Sequence, residues 1–373
     1  MNFRKKLFFH RNPYDLSNTR HLFFNAVKQN VKFHTENCSE YSTLLKSSGF
    51  EISQLKSEAD IYKIPPVPSL YFKRNLLLSV PEDKLTLKAT SSGTKGSHSV
   101  IGFDRQSLYY GIIMMLRFFS YHKVISLKPT NYIVLGYEPS SHIDIGAAKT
   151  AYGTTKFAPA LHREYALKDT GSSYEINIDG IKKAILCYAK QPFPVRFVGF
   201  PSYMHFLAKT LKKNGIKLNL SKSSKILLGG GWKQFSNEQI DRDEFCSLIK
   251  ETLGIDKHNV LEFFSAVEHP LPYLKCSNGH FHVPIYSRVI IRDANTLEPV
   301  PDGVPGILSF VSPLMRSVPL VSVMTDDIAV AHPHESCGCG ITTPYFELLG
   351  RAGVQQIKTC TTDSAELMKG ITK

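Results

Sequence analysis

The sequence predicts an α/β fold made of layered subdomains, and two features of its pattern support this prediction. The apolar runs 131–137, 196–201 and 224–231 are each typical of a buried strand, and helical patterns lie between them. From residue 259 onward, short apolar runs are separated by glycine and proline turns. Strands that alternate with helices build a sheet covered by helices, so we expect an α/β region followed by a β-rich subdomain.

The first 85 residues are expected to form a helical cap. Apolar side chains fall on one face of 19–30, and shorter helical patterns follow at 41–48 and 52–62. The prolines between 65 and 68 then end the helical pattern. Further along the chain, amphipathic helices are predicted at 104–121, 178–190 and 202–214.

The β-rich part begins where helical periodicity stops. Its predicted strands are 260–264, 283–292, 306–311 and 320–324. The predicted organisation is therefore a cap, an α/β part, a β-rich part and a polar tail, with the bounds 1–85, 86–258, 259–350 and 351–373.

The length, composition and charge limit the kinds of protein that this chain can be. The chain has 373 residues, of which 42% are apolar, so it can bury the core of one large domain or of two to three smaller ones. The same composition does not predict global disorder. The net charge of +13 favours anionic partners. Because the lysines are scattered and not interleaved with aromatic residues, nucleic-acid binding is not predicted.

The termini and cysteines predict a soluble cytoplasmic protein. The basic start of the chain is followed by an apolar run of only Leu7 to Phe9, which is too short for a signal peptide. No later run approaches 18 uncharged apolar residues, so no transmembrane segment is expected. Seven cysteines, an odd number, argue against a disulfide framework.

A hydroxyl- and glycine-rich stretch follows the strand-like residues 85–87. Hydroxyls, free backbone N–H groups and close backbone approach are what a polyphosphate needs. The spacing differs from a Walker A loop, because Gly93 and Gly96 are three apart and Ser97 follows. By itself the stretch is either a surface turn or a phosphate-binding loop. Its candidate residues are Thr90, Ser91, Ser92, Gly93, Thr94, Lys95 and Gly96.

Three consecutive glycines end the predicted strand 224–231 and precede Trp232 and Lys233. Such a triplet allows a flat ring or a phosphate to approach the backbone closely. The same pattern is typical of a tight turn with positive φ, and the two interpretations stay open here. The candidate residues are Gly229, Gly230 and Gly231.

Acidic residues follow two of the predicted strands. Glu268 comes just past 260–264, and a carboxylate beside bound phosphates is a usual Mg²⁺ ligand. Asp326 and Asp327 follow the apolar residues 321–324 and suit ribose hydroxyls or a metal. The alternatives are a solvated carboxylate for Glu268 and a turn cap for the pair.

Cysteines and histidines form a candidate metal site. Cys337 and Cys339 stand in a C-x-C-G pattern, and Cys276 and His282 lie on either side of an Asn-Gly turn. Three thiolates and one imidazole suit a tetrahedral structural Zn²⁺. The other interpretation is a pair of inert buried cysteines. The alternative imidazole ligands are His280 and His334.

Cys360 lies apart, in a polar segment near the end of the chain. Its polar neighbours argue against core packing, and Lys358 favours its thiolate form. It is either an incidental free cysteine or a reactive one.

Taken in order, these motifs resemble the adenylate-forming (acyl- and aryl-CoA ligase) superfamily, and within it the LuxE-type acyl-protein synthetases. The resemblance runs from about residue 65 to Cys360. It implies the large N-terminal domain of those enzymes, with its layered α/β subdomains and a β-rich subdomain. Since only 22 residues follow Arg351, the usual mobile C-terminal domain with its catalytic lysine is expected to be absent.

The resemblance implies a role for each motif in binding ATP and Mg²⁺. The loop Thr90–Gly96 matches the one that grips the β- and γ-phosphates, and the glycines Gly229–Gly231 match the stretch bordering the adenine. The remaining implied roles are adenine stacking for Phe264, Mg²⁺ binding for Glu268, ribose binding for Asp327, and ribose or phosphate binding for Arg351. Ser265 and Val267 depart from the family motif, which normally has Gly and Thr there.

The resemblance also implies a covalent step and a structural metal. Cys276, His282, Cys337 and Cys339 match the zinc positions of phenylacetate-CoA ligases, and Cys360 matches the acyl-accepting cysteine. Lys233, Lys95 or a tail lysine replaces the missing catalytic lysine.

The implied activity is ATP-dependent activation of a carboxylic acid, expected to be a fatty acid. The acyl group then passes to Cys360 as a thioester for delivery to an acyl-CoA reductase of the LuxC type. The alternatives are a CoA or carrier-protein ligase in which Cys360 is incidental, and an inactive homologue acting as an interaction subunit.

Overall fold

The computed structural model describes residues 1–90, 99–140, 146–232, 235 and 238–351. These residues belong to two compact units. The first contains 1–122, 265–273 and the described residues from 280 onward, and the second contains 123–264 and 274–279. Each unit is an α/β assembly with its own sheet, which confirms the predicted fold class.

Three helices of the first unit begin at residues whose polar side chains cap them. Asn2 caps the first helix by accepting a hydrogen bond from the backbone N–H of Lys5, Asp15 caps the second, and Asp104 caps the fifth through the N–H of Ser107. Among the described residues, the α-helices of this unit are α1 (Phe3–Phe8), α2 (Leu16–Asn37), α3 (Ser39–Ser47), α4 (Tyr71–Arg74) and α5 (Arg105–Tyr121).

A histidine on α2 shows how tightly this unit is packed. His34 is fully buried, with Nδ1 2.7 Å from Ser79 Oγ and Nε2 3.1 Å from the carbonyl oxygen of Met315. A carbonyl only accepts hydrogen bonds, so Nε2 carries the proton and Nδ1 accepts from the serine hydroxyl. Burial lowers the pKa of His34 to about 3, which keeps the imidazole neutral.

The main sheet of the first unit has the order β11-β15-β14-β13-β12, with neighbours antiparallel, and β1 pairs with β14 in parallel. Its strands are β1 (Val67–Pro68), β11 (Phe281–His282), β12 (Arg288–Arg292), β13 (Gly306–Val311), β14 (Ser322–His332) and β15 (Tyr345–Arg351). The unit also contains a separate antiparallel pair, β2 (Leu85–Thr90) and β3 (Val100–Asp104). The strand β10 (His269–Leu274) follows Glu268.

The second unit has a sheet of order β9-β8-β7-β4-β5-β6, parallel except for the edge strand β6. Its strands are β4 (Thr130–Tyr137), β5 (Ala160–Asp169), β6 (Tyr174–Ile176), β7 (Val195–Gly199), β8 (Lys225–Gly229) and β9 (Val260–Ala266). Its helices are α6 (Gly146–Thr154), α7 (Ile178–Tyr188), α8 (Pro201–Lys213) and α9 (Arg242–Leu253). Phe197, Ile226 and Leu228 are buried in the core beneath these helices.

Some predicted elements were wrong in type or extent. The predicted helix 52–62 is two short 3₁₀ segments, Ile52–Gln54 and Glu58–Lys63. The carboxylate of Asp60 accepts hydrogen bonds from the backbone N–H groups of Lys56 and Ser57, which starts the second segment as a separate turn.

Two predicted strands also differ from the observed ones. The predicted strand 283–292 shortens to β12, because Pro284 offers no N–H and the N–H of Ser287 bonds back to its carbonyl. The predicted strand 320–324 is the start of the longer β14. Asp326 and Asp327 therefore lie inside a strand and do not cap a turn.

None of the helices within the described ranges is long and apolar enough to cross a membrane.

Two glycines at the ends of adjacent strands provide a test of packing in the second unit. In Gly199→Ala, the new Cβ would lie 2.6 Å from the carbonyl oxygen of Leu135 on β4, so β4 and β7 would have to separate. We predict a loss of about 1–3 kcal/mol in the free energy of unfolding, measured by urea denaturation. Gly229→Ala is the matched control, because nothing lies within 4 Å of its Cβ. Equal stability of the two variants would contradict this account.

Candidate functional site

Glu268 is a buried carboxylate in the first unit, one residue before β10. Its side chain accepts a hydrogen bond from the hydroxyl of Ser99, which is itself fully buried. Among the described residues, no lysine, arginine or histidine forms an ion pair with Glu268. A buried carboxylate is costly without a positive partner, so the position fits a divalent cation, which would supply the missing charge.

The strand that follows Glu268 is held by a buried hydrogen-bonded cluster. Nε2 of His269 lies 2.8 Å from the hydroxyl of Tyr273, and that hydroxyl lies 2.6 Å from Oγ of Ser287. The imidazole also stacks on Phe310, with ring centroids 4.2 Å apart. Burial lowers the pKa of His269 to about 3, so the ring is neutral and acts as a fixed support for the Glu268 backbone.

Asp327 and Arg351 face each other across β14 and β15. Their Cα atoms are register partners, and Nε of Arg351 donates a hydrogen bond of 2.9 Å to Oδ1 of Asp327. The carboxylate is buried, whereas the arginine side chain is 56% exposed. Asp326 is exposed, because adjacent residues of a strand point to opposite faces. The structure thus separates the two acids and presents Asp327 together with Arg351.

The three glycines end β8 in the second unit and turn the chain sharply. Gly230 and Gly231 have φ of +78° and +66°, a conformation that favours glycine. A Cβ at Gly229 or Gly231 would meet no atom within 4 Å, so the backbone there is open to a flat group. The two interpretations of the glycine triplet, a tight turn and an open approach for a ligand, are therefore compatible with each other. Phe264, on the neighbouring strand β9, is half-buried.

Several predicted site residues belong to parts of the chain that the structure does not describe. Ser91, Ser92, Gly93, Thr94, Lys95, Gly96, Lys233 and Cys360 lie outside the described residues. Thr90 is the last residue of β2, and its strand partner is Val100.

The predicted metal ligands come together. One ligand atom from each of Cys276, His282, Cys337 and Cys339 lies within 4.8 Å of the other three. Nε2 of His282 is 3.1 Å from Sγ of Cys337 and 3.2 Å from Sγ of Cys339. All but Cys339, which is half-buried, are buried. Four convergent soft ligands suit tetrahedral Zn²⁺ and are more than an inert cysteine pair requires.

The surroundings of His282 orient its ring toward that cluster. Nδ1 lies 2.7 Å from the carbonyl oxygen of Thr343, so Nδ1 carries the proton and Nε2 presents its lone pair to the thiols. Gly338 and Gly340 have φ of +69° and +89°, which lets the chain turn around Cys339. His280 is a neighbour of the cluster, with Nδ1 3.1 Å from Sγ of Cys337.

Comparison with known proteins identifies the family. A family model described as acyl-protein synthetase, LuxE, matches residues 4–368. The chain belongs to the LuxE family. The expectation of an AMP-forming ligase is confirmed by this membership and by the names of curated relatives.

Two relatives of this LuxE-family chain are long-chain-fatty-acid–luciferin-component ligases. The one from Vibrio harveyi is 24% identical over 365 residues, covering 93% of this chain and 88% of the relative. The one from Aliivibrio fischeri is 27% identical, covering 72% and 70%. A phenylacetate-coenzyme A ligase from Thermus thermophilus is 22% identical, covering 85% and 66%.

Solved structures agree on the fold. An open conformation of 2-hydroxyisobutyryl-CoA ligase in complex with 2-HIB-AMP and CoA aligns with a TM-score of 0.64. The identity is 16%, and the alignment covers 93% of this chain and 78% of that one. The LuxE-family chain therefore has the fold of adenylate-forming ligases, as its sequence predicted.

The sequence did not single out Ser99, which contacts Glu268 directly. The sequence shows Ser99 only as a serine between the glycine-rich stretch and the strand β3. Serine is common in loops, so its position alone did not indicate a role. Contact across 169 positions of sequence could not be inferred from that position.

The cluster of thiols and imidazole in this LuxE-family chain leads us to predict that the purified protein contains zinc. We expect about one zinc per chain after purification without chelators, because three thiols and one imidazole with ligand atoms within 4.8 Å of one another suit tetrahedral Zn²⁺. Cys337→Ser is expected to lose that metal, as measured by elemental analysis. Cys187→Ser, at an exposed cysteine on α7, is the matched control and should keep it. Wild-type protein with far less than one zinc, or a Cys337→Ser variant that retains it, would contradict the assignment.

Proposed function

We propose that this LuxE-family ligase activates a long-chain fatty acid with ATP and then carries the acyl group as a thioester on Cys360. Family membership supports the ligase chemistry, and the names of the two luciferin-component ligase relatives support a long-chain fatty acid. The structural observation that carries the proposal is the buried Glu268 carboxylate, which has a hydroxyl partner and no described cation.

In the first half-reaction, an oxygen of the fatty-acid carboxylate attacks the α-phosphorus of ATP. A bond forms between that oxygen and phosphorus, and the bond to the leaving pyrophosphate breaks. Backbone N–H groups and hydroxyls of Thr90–Gly96 hold the departing phosphates. Mg²⁺, when held by Glu268, supplies positive charge against the phosphate oxygens. Asp327 accepts hydrogen bonds from ribose hydroxyls, and Arg351 orients its carboxylate through the 2.9 Å contact.

The adenine is proposed to lie against the open glycine turn after β8. Gly229 and Gly231 leave room beside their Cα atoms, and Phe264 offers an aromatic face for stacking. Lys233, Lys95 or a lysine of the tail is proposed to supply the positive charge near the α-phosphate. This role belongs to a C-terminal-domain lysine in the wider superfamily.

In the second half-reaction, the thiolate of Cys360 attacks the acyl carbon of the adenylate. A carbon–sulfur bond forms, the bond between the acyl carbon and the phosphate oxygen breaks, and AMP leaves. Lys358, two residues away, favours the thiolate. The thioester is then delivered to an acyl-CoA reductase of the LuxC type. We also propose that Cys276, His282, Cys337 and Cys339 hold a structural Zn²⁺.

A second candidate function is ligation to CoA or to a carrier protein. The similarity to a phenylacetate-coenzyme A ligase favours it. In that case the adenylate forms in the same way, and Cys360 takes no part.

The two functions predict different fates for the acyl group. With ATP, Mg²⁺ and a radiolabelled long-chain fatty acid, we expect a hydroxylamine-labile label on the wild-type protein and none on Cys360→Ser. Cys187→Ser is the control, because it removes a different exposed cysteine, on α7, that has no role in the proposal. It should be labelled normally. An undiminished label on Cys360→Ser would exclude this cysteine as the acceptor. Acid-dependent pyrophosphate exchange without a protein label would favour the CoA or carrier route.

A matched set of variants tests the nucleotide residues. Glu268→Gln removes the charge proposed to hold Mg²⁺ and should slow acid-dependent ATP–pyrophosphate exchange roughly 100-fold. Asp327→Asn should raise the KM for ATP roughly tenfold, because a charged hydrogen-bond acceptor is lost. Asp326→Asn makes the same chemical change at the adjacent exposed position and should leave the exchange rate within about twofold. If Asp326→Asn is as impaired as Asp327→Asn, the assignment of Asp327 to the ribose fails.

A further inference from the structure

Basic side chains line up across one face of the parallel sheet in the second unit, at the amino-terminal ends of its strands. Tyr132 of β4 is the register partner of Arg163 on β5 and of Arg196 on β7. Arg196 is in turn the register partner of Lys225 on β8. Register partners on neighbouring strands project to the same face of a sheet. Three cations and one phenol therefore form a row across four adjacent strands.

Arg196 lies at the centre of this row, and its guanidinium has few good hydrogen-bond partners. Only 2% of the residue is exposed, and its Nε has no hydrogen-bond partner. One terminal nitrogen donates to the hydroxyl of Tyr132 at 3.4 Å, and that hydroxyl donates to the carbonyl oxygen of Ala158 at 3.5 Å. Both distances are long for hydrogen bonds, which centre near 2.9 Å.

The neighbours of Arg196 add positive charge and no negative charge. Nζ of Lys225 donates to the amide oxygen of Asn259, and Nε of Arg163 donates to the hydroxyl of Thr155, each at 2.7 Å. Within the described part of the chain, no carboxylate forms an ion pair with any of the three cations. Burial, together with the charges of Arg196 and Lys123, lowers the pKa of Lys225 to about 8.

This arrangement is unfavourable as it stands. A guanidinium removed from water without a counter-charge costs several kcal/mol, and a second cation on the adjacent strand adds repulsion. An anion placed between Arg196 and Lys225 would remove both penalties. It would also replace the long hydrogen bonds of Arg196 and Tyr132 with charge-assisted ones.

We propose that Arg196, Lys225 and the hydroxyl of Tyr132 bind a small oxyanion of the phosphate class. The guanidinium provides a planar fork that matches two oxygens of one phosphate, and the ammonium of Lys225 binds a third. Lys123, which is exposed, and the half-buried Arg163 add positive charge at the margin of the site.

The site is distinct from the position proposed for the adenine. Lys225 is the first residue of β8 and Gly229 is the last, so their Cα atoms are about 13 Å apart at the rise of a β-strand. The two groups lie at opposite ends of the same strand. Occupancy of one site is therefore compatible with occupancy of the other.

Equilibrium dialysis of the full-length protein with labelled inorganic phosphate, and separately with labelled pyrophosphate, tests the proposal. We expect wild type to bind one equivalent of phosphate. Lys225→Gln should weaken that binding at least roughly tenfold, because a charged donor is lost. Arg196→Lys keeps the charge but not the fork and should weaken it as well. Lys225 is only half-buried, so its variant stays informative even if Arg196→Lys folds poorly.

Two matched variants show whether phosphate binding is specific to this row of cations. Lys222→Met removes one positive charge from an exposed position three residues away and should bind phosphate as wild type does. Glu268→Gln should also keep phosphate binding, because it alters the other unit. Absence of phosphate binding in wild type would overturn the proposal. So would binding that survives in Lys225→Gln, or binding of phosphate or pyrophosphate that is lost only in Glu268→Gln.

Discussion

The pairing of β14 with its neighbours is the constraint on which the first unit depends. This strand pairs with β1, β13 and β15, and it carries Asp327 near its middle. Its register with β15 sets Asp327 opposite Arg351, and the connection between the two strands contains Cys337 and Cys339. A slip of one residue would turn Asp327 to the exposed face and remove it from the arginine. Strand register therefore determines the geometry proposed for ribose binding. It also fixes the two ends of the connection that carries Cys337 and Cys339.

Both units hold a buried charge whose partner is missing from the described protein. In the first unit it is the carboxylate of Glu268, and in the second it is the guanidinium of Arg196. A stable core normally pairs or neutralises such groups. The contrast with His34 and His269 is instructive, because those imidazoles are buried in neutral form and are hydrogen-bonded. Unbalanced charge in a protein core is thus a better indicator of a ligand than burial of a polar group alone.

The sequence predicted the regular parts of the fold well. The strands β4, β7 and β8 and the helices α5, α7 and α8 lie within one to two residues of their predicted bounds, because apolar runs and amphipathic periods are strong there. The strand β5 was missed because charged residues interrupt its apolar pattern. The strand β15 was missed because its short apolar run leads directly into a glycine and the polar end of the chain.

For the candidate site, local motifs were enough to single out the three thiols and the imidazole that cluster, because each half of the set is short in sequence. They were not enough to find Ser99 beside Glu268, or the alignment of Arg196 with Lys225. Those contacts depend on strand register and chain topology, which one sequence does not display. Hydroxyls in loops and single basic residues in strands are too common in ordinary structural roles to be recognised without the fold.

The neutral histidine in α2 has a consequence for how the protein tolerates acid. An unfolded chain protonates His34 near pH 6.5, whereas the native imidazole resists protonation down to about pH 3. Between pH 6.5 and about pH 3 the unfolded state therefore binds a proton that the native state does not, and the free energy of unfolding falls as the pH is lowered through this range. His34 also ties α2 to the carbonyl of Met315, so mild acid is expected to loosen the helical layer that covers the first unit.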